Sequence, residues 1–336
     1  MKIITKGKNM NNIKKIGLTA LAGSLVAISA QAAEMTVSGA TVLTYTSEDG
    51  TEVTGNPLGM KTNLAFTASG EVNGYNVSYM QTSKDQFAGM SSARLSVDMG
   101  DMGTIAFDQG SGSGLATIDD KTPTAAEEIW DGLDDTTAGR VGAAGSSGVV
   151  NYINTFSGVT FNAAVRQGSG TSNSDGASSA AGQSAMDFAL TTDGSSMGVD
   201  GLAIGLGYGE AENGSSANTS DSDDEHMTAF ANYSVGPVTF GYQMSEITYG
   251  KKGTANQEIH AWGLAFNVNE NLSVSYGERE IAHQTDANTD EKFDGIAVAY
   301  TMGSMKIAGN MNDVSNSAGV DGTNDSMTEI AVSFAF

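Results

Sequence analysis

Between residues 110 and 145 the chain gathers Asp119, Asp120, Glu127, Glu128, Asp131, Asp134 and Asp135 against only Lys121 and Arg140. Carboxylates in such excess cannot neutralise one another, so they create a field that attracts cations and repels anions. The plainer alternative is acidity that solvates a loop on an acidic protein. Two further acidic runs, Asp221-Ser222-Asp223-Asp224-Glu225 and Asp286, Asp290, Glu291 and Asp294, offer hard oxygens for weak loop-bound Ca²⁺ or Mg²⁺. Their spacing does not reproduce an EF-hand, and solvated surface charge is the simpler reading. Covalent catalysis has little to draw on. Gly194-Ser195-Ser196-Met197-Gly198 fits G-x-S-x-G, but it falls in a turn without the strand-to-helix elbow that exposes such a serine. His226, His260 and His283 lie in separate segments, which supports neither a triad nor a histidine metal site, and cysteine is absent.

These groups need a scaffold, and its start is marked by a removable leader. Lys2, Lys6, Lys8, Lys14 and Lys15 precede an apolar stretch from Ile16 to Ile28 and the small-residue site Ala30-Gln31-Ala32. Residues 1–32 therefore read as a signal peptide, since about thirteen apolar residues fall short of the roughly 20 that span a bilayer. Removing 32 of 336 residues leaves 304, and losing five lysines moves the formal charge from −23 to −28. That balance argues against nucleic acid as a partner. In an exported chain without cysteine, stability must come without disulfides.

The mature chain, residues 33–336, repeats a two-residue period. Strands are expected at about 35–46, 60–70, 72–82, 91–100, 103–109, 146–156, 158–167 and 183–192. Eight more follow at about 200–211, 225–236, 237–248, 257–268, 270–282, 292–303, 304–314 and 326–336. Short turns such as Glu71-Val72-Asn73-Gly74 and Met302-Gly303-Ser304 alternate with long acidic connections, as sixteen strands require when both termini lie at one end. In the last strand Ile330, Val332, Phe334 and Phe336 share one face, while Glu329, Ala331, Ser333 and Ala335 share the other. A greasy outside with a polar, small-residue inside inverts a soluble barrel, and hydrocarbon tolerates no open sheet edge. The fold class is therefore all-β, a transmembrane antiparallel barrel of sixteen strands. A soluble β-sandwich or secreted β-solenoid adhesin also alternates, but predicts neither the loop alternation nor the aromatic terminal strand.

Particular stretches then carry a resemblance. Ala93-Arg94-Leu95-Ser96-Val97-Asp98-Met99-Gly100-Asp101-Met102-Gly103-Thr104-Ile105 resembles a hairpin of the general diffusion porins of the Gram-negative outer membrane. Gly139-Arg140-Val141-Gly142, with Val150-Asn151-Tyr152 and Phe156-Ser157-Gly158-Val159, resembles the exit from that family's constriction loop, and Phe336 its terminal assembly signal. The resemblance implies a homotrimer in outer-membrane lipid and lipopolysaccharide. It also implies a water-filled channel for small hydrophilic solutes, a third loop folded into the lumen, no cofactor and no enzymatic activity. The alternatives are an outer-membrane adhesin or structural barrel, and a barrel hydrolase.

The resemblance places the 110–145 segment at the constriction, with Glu127, Glu128, Asp131, Asp134 and Asp135 as its acidic candidates and cations as the preferred ions. On the opposing wall it implies a basic cluster. Arg94 matches a family arginine, and Arg166, Arg279, Lys306 and Lys61 share its inward phase. The pattern departs at Asn63 and Ile153, where the family carries basic residues, and the family's Pro-Glu-Phe-Gly-Gly loop motif is missing.

Overall fold

The computed structural model describes residues 34–49, 55–83, 90–133, 139–145, 147–168, 183–213, 222–285 and 288–336. The leader, Asp134 and Asp135, and Asp221 and Asp286 in the other acidic runs lie outside them. The first eight strands are β1 (Glu34–Asp49), β2 (Leu58–Val72), β3 (Tyr75–Ser83), β4 (Met90–Asp98), β5 (Thr104–Gln109), β6 (Ser147–Phe156), β7 (Val159–Arg166) and β8 (Ala185–Asp193). They continue as β9 (Leu202–Ala211), β10 (Asp224–Val235), β11 (Val238–Thr248), β12 (Gln257–Asn267), β13 (Leu272–His283), β14 (Glu291–Met302), β15 (Met305–Ser315) and β16 (Asp325–Ala335). Each predicted strand has its counterpart, no end displaced by more than three residues.

All sixteen form one closed antiparallel barrel in which neighbours in sequence are neighbours in space and β1 meets β16. Phe336 completes that seam, its N–H donating to the Gly39 carbonyl at 2.9 Å and its carbonyl accepting from the Gly39 N–H at 2.9 Å. The tight turns follow from local chemistry. Asn73-Gly74 and Ser157-Gly158 place both central residues at positive φ (53° and 86°, 50° and 84°), the primed-turn geometry whose twist matches flanking strands.

Alternation sorts the side chains. Leu43, Phe66, Leu95, Val150, Leu206, Phe240, Ile296, Val298, Ile330 and Phe334 are exposed on the outer face, an arrangement only a lipid environment makes favourable. Rings form a band there, with Tyr152, Phe161, Phe188 and Tyr208 at successive centroid spacings of 6.2–6.4 Å and Trp262 edge-on to Tyr276 at 5.6 Å.

The inner face differs from the polar and small-residue lining expected. Phe230, Ile247, Ile259, Ile281, Phe293, Val314 and Met327 are inward and buried, and they pack with Leu115, Ile118, Trp130, Leu133 and Val141 from the β5–β6 connection. The barrel thus contains a small apolar core between its wall and one internal loop. Val298→Arg is expected to destabilise the protein in lipid vesicles by about 2–4 kcal/mol, the cost of a cation on a lipid-facing position. Chemical unfolding in vesicles measures it, and an effect near zero would contradict a lipid-facing Val298.

Candidate functional site: the internal loop and the lumen

At the end of β5 the chain leaves the wall because Asp108, fully buried, turns it. Its Oδ1 accepts the Ser111 N–H at 2.9 Å, and its Oδ2 accepts the Ser113 hydroxyl at 2.6 Å. Arg94 lies 3.7 Å from the same carboxylate and donates to the Gly112 carbonyl at 3.2 Å and to Asn151 Oδ1. Gly114 permits the turn, with φ 58° and a would-be Cβ overlapping Asp187 Oδ1.

Asp187, only 4% exposed on β8, ties the two limbs of the loop together. Its Oδ1 accepts the Leu115 N–H at 2.9 Å on the outgoing limb, and its Oδ2 accepts the Ala144 N–H at 2.8 Å on the return. Arg166 donates to the Ala144 carbonyl at 2.8 Å. The outgoing limb then crosses the inner wall under a series of single polar side chains. Gln243 on β11 accepts the Lys121 N–H at 2.7 Å and donates to the Ile118 carbonyl at 2.9 Å, while Asn232 on β10 donates to the Lys121 carbonyl at 2.7 Å. Ser275 on β13 accepts the Ala125 N–H at 2.8 Å. Asn312 on β15 donates to the carbonyls of Glu128 and Asp131 at 3.1 and 2.9 Å. The return limb passes His226, whose Nδ1 accepts the Gly142 N–H at 3.3 Å.

These contacts pair backbone groups of the loop with the wall at intervals along both limbs. Asp119, Asp120, Glu127 and Asp131 are half-buried and Glu128 is exposed. Although Glu128 is exposed, partial desolvation raises its carboxyl from the ordinary glutamate value, its own backbone N–H opposes this, and Asp120, Glu127 and Asp131 add to the shift by repulsion. Burial also raises Asp119, although the nearby Arg140 opposes it. Glu329, inward on β16, was not among the sequence candidates. It accepts from the Thr46 hydroxyl at 3.2 Å and lies within electrostatic reach of Lys61, Glu127 and Asp131. Its signal was present in the polar face of the terminal strand.

The basic candidates divide into two groups. Arg94 and Arg166 are bound to the loop's entry and exit, and Arg279, 3% exposed, lies beneath the loop with its guanidinium 4.7 Å from the centroid of the Trp130 ring. Lys61 and Lys306 are held on one cross-strand row through Val42 and Ser333 at the β1–β16 seam. The structure therefore brings three arginines to the loop and two lysines to the seam.

The other motifs are accounted for locally. Ser195 donates to the Asp193 carboxylate, and the Ser196 hydroxyl lies 3.1 Å from the Asp193 carbonyl, both inside a single turn. Asp224 accepts from Asn213 at 2.9 Å and from the Gly250 N–H at 2.8 Å, and Glu291 pairs with His283 at 2.6 Å. Among the described residues no group of three or more His, Asp or Glu side chains is placed to hold a metal ion.

A closed sheet that is apolar outside, with a charged loop pinned across its interior, defines an integral barrel of the outer-membrane channel class. A sequence profile described as Gram-negative porin matches residues 17–336, and the chain belongs to that family. Similar solved structures include the anion-selective porin from Comamonas acidovorans (TM-score 0.66, 13% identity, covering 91% of this chain and 100% of that one). In vitro folded OmpT, an outer membrane protein of Vibrio cholerae, in its trimer form gives TM-score 0.66 at 11% identity, with 91% and 100% covered. A mutant of the Rh. blastica porin gives 0.61 at 14%, with 90% and 100% covered. At these identities the likeness establishes the fold. No curated relative matches the sequence. The protein is an outer-membrane porin, integral through its barrel.

Asp187→Ala removes both acceptors from the neck of the loop, and hydrogen bonds to a charged group are worth about 1.5–3 kcal/mol each. The expected outcome is faster limited proteolysis between residues 110 and 145 in detergent, with the barrel's heat-induced unfolding nearly unchanged. Equal cleavage rates would mean that the neck does not hold the loop.

Proposed function

We propose that the protein is a homotrimeric diffusion channel in which the internal loop narrows each lumen, admitting small hydrophilic solutes and preferring cations. The observation that supports this reading is the loop's attachment to inward side chains on β8, β11, β13 and β15, which holds the backbone of the segment carrying Glu127, Glu128 and Asp131 inside the barrel. Asp134 and Asp135 continue the same acidic segment. In a confined, water-filled constriction fixed carboxylates raise the local cation concentration and oppose anions.

The sign of selectivity follows from the side chains. The Comamonas acidovorans structure of similar fold is described as anion-selective, so the barrel alone does not decide it. Here Arg94 and Arg166 donate to loop carbonyls and Arg279 lies against Trp130, so their charge sits at the loop's seat, while Lys61 and Lys306 lie at the seam. Divalent cations would meet the loops as a diffuse atmosphere. Trimer formation is supported by the family and by the OmpT trimer, and outer-membrane lipid and lipopolysaccharide surround the assembly in this reading. Selection by width and charge needs neither a cofactor nor catalysis. Residues 1–32 act as the export signal, so the N-terminus of protein recovered from the outer membrane should be Ala33.

In a planar bilayer under a KCl gradient, the reversal potential is expected on the cation-preferring side. It should move toward zero in the combined Glu127→Gln, Glu128→Gln, Asp131→Asn variant. A silent bilayer would favour a structural or adhesive barrel, and an anion-side potential would overturn the selectivity.

The preference should also depend on pH. Because partial desolvation and like charge raise Glu128, it becomes neutral at a higher pH than the ordinary glutamate value of 4.5, so cation preference fades as pH falls while still above that value. Glu128→Gln should remove the upper part of this titration. A reversal potential that stays flat down to pH 4.5 would contradict it.

A further inference from the structure

The wall beneath the loop is cut away along one line. Gly241 on β11 pairs with Gly263 on β12, Gly263 with Gly277 on β13, and Gly277 with Gly295 on β14. All four are on the inward phase, so the register joins them in a single cross-strand row. Asparagines bound it on both sides, Asn232 opposite Gly241 and Asn312 opposite Gly295. The result is a trough four strands wide and one side chain deep.

The loop occupies that trough. A Cβ at Gly241 would lie 2.4 Å from Pro123 Cδ and 2.2 Å from Oδ1 of the bounding Asn232, and one at Gly263 would lie 2.8 Å from the Pro123 carbonyl oxygen. A Cβ at Gly277 would meet the Trp262 carbonyl oxygen at 3.0 Å and Ile129 Cγ2 at 3.3 Å, and one at Gly295 would meet Ile129 Cγ2 at 3.0 Å and Oδ1 of Asn312, the side chain that holds the loop there, at 2.5 Å. The bounding asparagines are the residues that hold the segment's ends, through the carbonyls of Lys121 on one side and of Glu128 and Asp131 on the other. Proline at 123 stiffens the seated backbone, so a wall that rises under it displaces the segment instead of bending it.

We propose that Gly241, Gly263, Gly277 and Gly295 are positioning residues that set how far residues 121–131 stand into the lumen, and hence the largest solute that passes. This rests on the reading that the loop narrows the pore. The depth of the trough is the controlled quantity: a methyl at Gly241 or Gly263 must lift the loop, because contacts under 3.0 Å to a proline ring or a backbone oxygen cannot be kept, while one at Gly277 or Gly295 crowds Ile129 at 3.0–3.3 Å. Lifting carries the acidic segment Glu127–Asp131 toward the axis. The charge of the pore is unaltered, so width changes without a change in the sign of selectivity.

The test is single-channel conductance, with exclusion of neutral polymers of graded size, for Gly263→Ala, Gly263→Val and Gly295→Ala. Gly309→Ala serves as control, since a Cβ there makes only ordinary contacts at 3.5 Å or more. The expected result is a loss of conductance that grows from alanine to valine at 263, a smaller polymer cut-off, an unchanged sign of reversal potential and no change in the control. Unaltered or raised conductance in correctly folded variants would overturn the proposal.

Because the native chain has no cysteine, Glu128→Cys can be modified uniquely by a bulky thiol reagent. If modification leaves conductance intact, the constriction reading itself fails, and the proposal with it. If modification reduces conductance while the glycine variants do not, the glycine proposal alone is refuted.

Discussion

The inability of hydrocarbon to hydrogen-bond a peptide group is the constraint from which the rest of this architecture follows. It forces the sheet to close on itself, and Phe336 and Gly39 complete that closure with reciprocal backbone bonds. A sixteen-strand closure encloses more volume than the wall's own side chains fill, and many inward positions are Gly, Ala, Ser or Thr. The interior can then accept a segment of the chain itself. Residues 110–133 and 139–145 enter there, and their own backbone groups must be satisfied in turn. Asp187, Gln243, Ser275 and Asn312 supply those partners at intervals around the wall.

The loop reverses the usual polarity of part of the barrel. On β11 to β15, toward the long-loop end, inward positions carry Ile247, Ile259, Ile281, Phe293 and Val314, while outward positions carry Glu246, Glu258, Glu278, Glu280, Asp294 and Asp313. These half-strands behave like a soluble sheet covering a core, with the loop as the second layer. Toward the short turns the same strands present Leu264, Phe266, Ile296, Val298 and Ile307 outward. Each strand changes from membrane logic to soluble logic along its length without changing its two-residue phase. The change falls between the cross-strand row Leu264–Tyr276–Ile296–Met311 and the next row, Trp262–Glu278–Asp294–Asp313. Trp262 and Tyr276 both donate to Glu278 there, at 3.2 and 2.7 Å, as amphipathic rings do where an apolar layer meets a polar one.

That inversion explains what could be read from residues alone. Strand positions were legible because alternation needs only a contrast between neighbours, and the turns were legible because Asn-Gly and Gly-containing pairs have few other uses. The apolar part of the inner face was not. In Lys292-Phe293-Asp294-Gly295-Ile296 an apolar residue faces inward at 293 and outward at 296, a sense that only the loop's arrival can assign. The inward phase of Arg94, Arg166 and Arg279 followed from alternation, but their engagement with the loop depended on contacts more than a strand away. Isolated large polar residues among small inward ones, such as Asp187, Gln243 and Asn312, were the available sign of loop partners. They remain unremarkable until the loop is placed against them.

The same division of labour bears on how selectivity can vary while the fold persists. Wall side chains bond the loop's backbone, apolar packing rests on Trp130, Leu133 and Val141, and at Glu128 and Asp131 it is the backbone carbonyls, not the carboxylates, that Asn312 holds. Replacing them changes the field without removing the attachments. The arginines are different, because Arg94 and Arg166 hold loop carbonyls and Arg279 supports Trp130. Positive charge at those positions is therefore tied to the shape of the lumen, whereas negative charge on the loop is independent of it. The wall that seats the loop thus constrains the arginines and leaves the loop's carboxylates open to replacement.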